Sequence, residues 1–473
     1  MKKQTKKILS KIVLYLLSFI VLISFSIVAK ISVILTFLLI SIFAYLKITE
    51  FRKVKKTNII HLSFLFIIGI SSAIFFERYT NLSPYYIPIP AIAMLVVILF
   101  SNLELALLIS FCLSVFVGFI FQGDLYLMCI MFLGCITGAF FVFKIRQRYK
   151  IIQAGILVSV IMVLSLAVIS FRREIGLISL SSSPNAIPVC INGILSAFVV
   201  AGSLPIFEFL FRVVTNISLL ELSDFNHPLL KRLVLEAPGT YHHSLLVGNL
   251  SEMAAESINA NALLARVGAY YHDIGKLEKP EYFSENQDRS LSRHEQLKAS
   301  MSKLVIINHV KDGKTLAKKH KLNSAIIEFI EQHHGTSLVF YFYRRALTES
   351  KKKEDVKEDI FRYTGPKPQT KETAIVLLAD SVEAACRALE APNAQRIEEV
   401  VHTITNNKFI DGQLDECDLT LKDLNKIDKT FIHILSAIYH SRIEYPEIKS
   451  ENSSKGPSKK DQDQPSQDKK NSL

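Results

Sequence analysis

The stretch AYYHDIGKLEKPEYF, residues 269–283, places a histidine and an aspartate side by side at the end of an apolar run. Ala265, Gly268 and Ala269 stand one and two helical turns before His272, so small residues line the approach to the pair and let a neighbouring helix come close. Gly275, just past the pair, is expected to cap that helix. An adjacent His-Asp pair has a geometric use: from a helix end the imidazole can bind one cation while the two carboxylate oxygens bridge two.

Working outward, other ligand-type residues fall at helical positions. From His243, the positions Leu246, Val247, Leu250 and Ala254 follow at i+3, i+4, i+7 and i+11, so His243 lies on an inward stripe. His242 is turned about 100° away. His309 follows, then His333 and His334 at the end of a helical segment from Ser324 that Gly335 should cap. Asp380 sits among Leu377, Leu378, Ala379 and Ala384 in a helix expected over residues 371–389, where an unpaired carboxylate is costly. A lone histidine is usually a packing residue, but His-Asp, His-His and a mid-helix aspartate together outline a dinuclear metal site. Such a site makes a nucleophile from water and holds phosphate oxygens. The cysteine-free ligand set favours Fe or Mn over structural zinc. His227, His294, His320, His402, His433 and His440 read as surface or packing residues.

Every histidine except His61 lies after residue 220, and the chain before that point is of a different kind. Half of the 473 residues are hydrophobic, and apolar stretches occur at 8–29, 31–47, 58–76, 86–101, 103–121, 125–144, 151–171 and 187–214. Each approaches the ~20 residues a helix needs to cross ~30 Å of hydrocarbon, which gives eight crossings. Basic residues at the N-terminus, at 52–56 and at 144–150 place those loops, both termini and the soluble half in the cytoplasm. Arg172 and Arg173 run against this scheme. Gly118, Gly134, Gly138 and Gly155 are read as close-packing positions, and Pro88, Pro90 and Pro188 as kinks or caps at span ends. No set of mid-membrane charges suggests transport. The expected organisation is a membrane domain at 1–221, a helical soluble domain at 222–447 and a disordered polar tail at 448–473.

The net charge of +12 lies largely in the flanks of apolar segments, which argues against polymeric nucleic acid as partner and is compatible with a small phosphorylated one. No CxxC pair occurs among the six cysteines, and four of them lie inside apolar runs, so no disulfide framework is expected.

The stretches GTYHHSLLVGNL at 239–250, AYYHDIGKLEKPEYFSENQ at 269–287, INHVKDG at 307–313, EQHHGT at 331–336, RYTGPKPQTKETAI at 362–375, LADSVEAACRAL at 378–389 and DGQLDEC at 411–417 together resemble the seven-transmembrane HD phosphohydrolases. The resemblance implies an all-α architecture, a polytopic membrane domain followed by a cytoplasmic all-helical HD domain, at the inner membrane of a bacterium. It implies that His243, His272, Asp273 and Asp380 hold one divalent ion, that Asp273, His309, His333 and His334 hold a second, and that Lys276 points toward substrate phosphate. The implied reaction is hydrolysis of a cyclic dinucleotide, cyclic di-AMP first, to the linear dinucleotide pApA.

Cyclic di-GMP hydrolysis of the HD-GYP kind is the alternative, but no GYP tripeptide follows His333 and His334. A (p)ppGpp hydrolase fits less well, because Gly275 and Lys276 stand where those enzymes carry acidic residues. A non-catalytic nucleotide receptor has little use for a bridging Asp273. Family members commonly carry a large external domain after the first crossing; here the only break is near Lys30, so regulation is expected from within the bilayer or from the cytoplasm. The oligomeric state stays open, a homo-oligomer included.

Overall fold

The computed structural model describes residues 58–172, 184–287, 293–350, 356–390 and 392–439. The spans expected at 8–29 and 31–47, the connection at Lys30 and the tail at 448–473 lie outside the described residues.

Six apolar helices form the first half: α1 (Asn58–Tyr79), α2 (Ile89–Phe100), α3 (Leu103–Ile120), α4 (Leu125–Phe141), α5 (Tyr149–Arg172) and α6 (Ala186–Phe211). Four of them, α1, α3, α5 and α6, are long and apolar enough to cross a membrane, while α2 and α4 are shorter. The chain is a membrane protein. At 12 residues α2 rises about 18 Å, well under the ~30 Å hydrocarbon thickness. The span expected at 86–101 is therefore helical over only part of its length. Its place in the bundle explains this: every residue from Ile89 to Leu99 is buried, so α2 is a central helix wrapped by the others.

The irregular backbone before α2 is enclosed by protein, with Tyr85 and Ile87 buried. The Asn192 amide of α6 donates to the Tyr85 and Ile87 carbonyls at 2.6 and 2.8 Å. Non-helical backbone is tolerated inside a membrane only where protein satisfies it in this way. Gly155 and Gly193 let α5 and α6 touch through their backbones: a Cβ on Gly155 would come within 2.5 Å of the Gly193 carbonyl oxygen. Gly118, Gly134 and Gly138 receive Met128, Met162 and Met94 respectively, as close-packing positions should.

The second half is helical as well: α7 (Asn216–Leu222), α8 (Pro228–Glu236), α9 (Pro238–Ser257), α10 (Ala262–Tyr271), α11 (Ala299–Lys319), α12 (Ser324–Gln332), α13 (Phe340–Glu349), α14 (Lys371–Arg387), α15 (Ala394–Ile410) and α16 (Leu421–Ile438). Among the described residues there is no strand, only one bridge between Leu338 and Arg362. Side-chain caps start several helices, Asn261 on α10, Asn323 on α12 and Thr370 on α14.

Two apolar cores fill this half. One joins α9, α14, α15 and α16 through Val247, Leu250, Ile375, Leu378, Val401 and Phe431. The other joins α7, α8, α11 and α12 through Leu219, Leu229, Leu316 and Ile330. Helix α10 serves both: Ala265 and Ala269 enter the first, and Leu263, Val267 and Tyr271 enter the second. His272 and Asp273, at its end, therefore emerge at the seam between the cores.

The expected boundary at residue 221/222 falls within α7's last turn: Ile217 packs into the membrane core and Leu219 into the soluble one. Arg148, in the connection between α4 and α5, makes a two-pronged ion pair with Glu221 at 2.6 and 2.9 Å. Asn323 at the start of α12 donates to the Val213 carbonyl at 3.1 Å.

Candidate metal centre

Five elements deliver the ligand-type side chains to one buried point. His243 comes from the inward face of α9, His309 from α11, His333 from the end of α12 and Asp380 from the middle of α14, with His272 and Asp273 at the end of α10. All six are buried, and His334 is partly buried. His242, one position from His243, is exposed.

Each buried imidazole is oriented through Nδ1. Those of His272, His309 and His333 face the carbonyls of Ala269, Ile306 and Ile330, and that of His243 faces Glu383 at 2.5 Å. Because a carbonyl only accepts, Nδ1 carries the proton in the three rings that face one, and Nε2 is left as a lone pair aimed inward. Orientation of this kind is characteristic of histidines that ligate metals.

The inward atoms are poorly matched to one another without a cation. The Nε2 atoms of His309 and His333 lie 3.1 Å apart, acceptor against acceptor in those tautomers. His272 Nε2 and Asp273 Oδ1 are buried and have no hydrogen-bond partner. Buried polar atoms are rarely left in this state, so the donor set fits divalent ions.

The oxygens of Asp273 divide between two groups. Oδ1 lies 3.3 Å from His309 Nε2 and 3.5 Å from His333 Nε2. Oδ2 lies 3.2 Å from His272 Nε2 and 3.6 Å from His243 Nε2. Two groups result that could each hold an ion: Asp273, His309, His333 and His334; and His243, His272 and Asp380. His334 touches both, since its Nδ1 is 3.4 Å from Asp380 Oδ2.

Electrostatics keeps both carboxylates and His309 in ligand form. Burial acts upward on the Asp273 carboxyl, but His272 and Lys276 outweigh it and hold the group well below the ordinary value. Burial also acts upward on Asp380, where hydrogen bonding to His243 and the charge of His334 reverse the direction. His309 is pushed down to about 4, chiefly by burial, so its ring is neutral. Burial lowers His243 as well, but Asp380 and Glu383 carry it up to about 9; a cation at Nε2 would stand in place of that proton.

Lys276 is neither free nor solvated. Its Nζ lies between Asp273 Oδ2 at 2.7 Å and Glu285 Oε1 at 2.6 Å, and 5.0 Å from the centre of the Phe283 ring. Burial raises and the Lys276 charge lowers the Glu285 carboxyl, which ends at about 2. Glu285 and Glu383 are contact partners of Lys276 and His243 that the sequence reading missed. Glu383 follows Asp380 by three residues, a spacing that puts both on one helix face and was the available signal.

Gly275 is not the expected cap in a left-handed conformation, since its φ is not positive. Its absent side chain matters for another reason: a Cβ there would stand 1.8 Å from the His309 carbonyl oxygen. Gly335 does have φ +54°, as its capping role requires. His294 packs on Phe342 and faces the Tyr282 carbonyl from Nε2 at 2.7 Å, while His402 bonds Asp428.

A cavity of about 640 Å³ opens over the centre. His243, His309, His334 and Asp380 form its floor, Lys276, Arg387 and Lys408 contribute cations, and Phe283, Tyr341, Phe342 and Tyr363 contribute rings.

Comparison with known proteins finds separate matches in the apolar and the histidine-bearing halves. Residues 24–215 match the family described as "7TM receptor with intracellular HD hydrolase", and residues 240–385 match the HD domain. The Cyclic-di-AMP phosphodiesterase PgpH of Bacillus subtilis is 42% identical over 403 residues, 82% of this chain and 55% of that protein. The protein of the same name from Listeria monocytogenes is 41% identical over 318 residues, 66% of this chain and 44% of that protein. The crystal structure of the L. monocytogenes PgpH HD domain with Cyclic-di-AMP is 47% identical, covering 46% of this chain and 100% of that one, with a TM-score of 0.44. The chain spans about half the length of the curated relatives it matches. With both its apolar and its histidine-bearing half matched, the chain belongs to the PgpH-like family of seven-transmembrane proteins that carry an HD domain.

Proposed function

We propose that this chain is a membrane-bound, metal-dependent phosphodiesterase that hydrolyses a cyclic dinucleotide, with cyclic di-AMP as substrate and pApA as product. The observation that carries the reading is the split of the Asp273 oxygens between two histidine groups beneath a cavity lined with cations and rings. The two PgpH relatives supply the substrate.

His243, His272, Asp273 and Asp380 would hold one ion, and Asp273, His309, His333 and His334 the other, with Asp273 shared. Iron or manganese suits this nitrogen and oxygen set. Two bound divalent ions polarise phosphoryl oxygens and lower the pKa of water, which is the chemistry the side chains lack. Lys276 keeps Asp273 ionised and fixed, as its 2.7 Å contact and burial require. Glu383 fixes the His243 ring. Arg387 and Lys408 face the cavity, where they can balance the two phosphodiester charges, and the rings of Tyr341, Phe342 and Tyr363 suit purine faces. Hydrolysis adds a water oxygen to one phosphorus and returns a proton to the departing ribose 3′ oxygen. The partners are then the cyclic dinucleotide and the bilayer, with the soluble half and both termini on the cytoplasmic side.

The test is turnover by the purified protein with Mn and a panel of cyclic dinucleotides, with products identified by chromatography. Cyclic di-AMP should yield pApA faster than cyclic di-GMP is cleaved. A preference for cyclic di-GMP would move the chain to the HD-GYP class. Tight binding without turnover would make it a receptor.

A further inference from the structure

A second cavity, of about 490 Å³, shares no lining residue with the first and lies where α4 ends and α5 begins. Its walls include Phe141, Phe143, Lys144, Arg146, Lys150 and, from the joint to the soluble half, Leu220. We propose that this cleft binds the headgroup of an anionic phospholipid.

The position fits a lipid. Phe141 is the last residue of one apolar helix and Tyr149 the first of the next, so the cleft opens at the edge of the hydrocarbon layer. The Arg148–Glu221 pair shows that this edge faces the soluble half.

The charge fits an anion. No carboxylate lines the cleft, and among the described residues Lys144, Arg146 and Lys150 make no ion pair. Arg148, the remaining basic residue of the connection, is engaged by Glu221. Topology needs only the presence of basic residues in this connection. It does not require three unpaired cations to line one cavity.

The site is also built. Val142 and Ile145 are 0% and 7% exposed, and they anchor the connection in the membrane core on either side of Lys144. Ile145 N–H donates to the Val142 carbonyl and Lys150 N–H to the Gln147 carbonyl. Lys144 adopts φ +56°, unusual for a lysine. Phe141, Phe143 and Leu220 are apolar and partly exposed, which suits an amphiphile with a phosphodiester head better than a free inorganic anion. Basic pockets between membrane helices are suited to such heads.

The test uses the full chain in nanodiscs of phosphatidylcholine with or without phosphatidylglycerol, and counts phosphatidylglycerol retained per protein after delipidation by native mass spectrometry. Two variants are compared, Lys144→Ala with Lys150→Ala, which removes charge, and Leu220→Trp, which fills the cleft and leaves every charge in place. The wild type should retain phosphatidylglycerol, and both variants should lose it by about tenfold or more. Equal retention by all three proteins would reduce the effect to a bulk annulus and overturn the proposal. Loss in the charge variant alone would make it a surface-potential effect and would overturn the proposal as well. A third arm adds inorganic phosphate at millimolar concentration; complete displacement of the lipid would assign the cleft to free phosphate and sink the lipid assignment.

Discussion

Asp273 is the buried carboxylate whose two oxygens divide between His309 with His333 and His272 with His243. Asp273→Ala should abolish turnover and lower the metal content of the purified protein, while His242→Ala, at an exposed position, should change both little; elemental analysis of the two variants checks this. Glu383 makes a subtler case. It contacts Nδ1 of His243, on the side of the ring away from Asp380, so Glu383→Gln should keep the fold and weaken metal affinity by roughly 10–100-fold, measurable by chelator competition. Unchanged affinity would show that Glu383 only fills space. The difference in legibility between these residues is physical. Histidine and aspartate on apolar helix faces are rare enough that His243, His272, Asp273 and Asp380 stood out from the sequence. Glu383 and Glu285 did not, because a glutamate in a helix or loop normally reads as solvated. Only the packing of α9 against α14 and of the 280s segment over Lys276 buries them.

Among the elements, the α10 terminus and α11 are set by one close approach. Gly275 lies so near the His309 carbonyl that a methyl group there must displace α11 or the His-Asp segment. Gly275→Ala should therefore destabilise the soluble half by about 1–3 kcal/mol and lower occupancy of the metal group that contains His309. The capping reading taken from sequence also forecasts a loss, from backbone strain at a left-handed position, but leaves the metal group that contains His309 untouched. At a negative φ an alanine that met no neighbour would instead stabilise by ~0.4–1 kcal/mol, so the sign of the shift in a denaturant melt tests the close approach to His309, and metal occupancy separates it from the capping reading. The sequence showed that a small residue was required after the pair, but not whether the backbone angle or a neighbour required it. Helix α2 illustrates the same limit. Its composition announced an apolar segment, yet a helix buried on all sides and one facing lipid read alike, and the shortness of α2 follows from its central position.

Across the whole molecule, alternation of the helices fixes which ends share a side. His61 near the start of α1, Phe100 at the end of α2 and Phe211 at the end of α6 stack together. Arg148, just before α5, joins Glu221 beyond α6. At the other end, Ser83 between α1 and α2 donates to Asn185 just before α6 at 2.8 Å. The three contacts place the connection before α5, the α2–α3 turn and the soluble half together, and the α1–α2 connection opposite them. The basic residues Lys144, Arg146, Arg148 and Lys150 fall on the side of the soluble half, and the positive-inside rule supports the proposal that this side is cytoplasmic. In a cysteine-free background, single cysteines at Gln147 and Asn226 should react with an impermeant thiol reagent only after the membrane is opened, and one at Asn81 should react in intact cells. Labelling of Asn81→Cys from the same side as Asn226→Cys would break the alternation, because α1 would then no longer cross while the contacts at both of its ends require that it does.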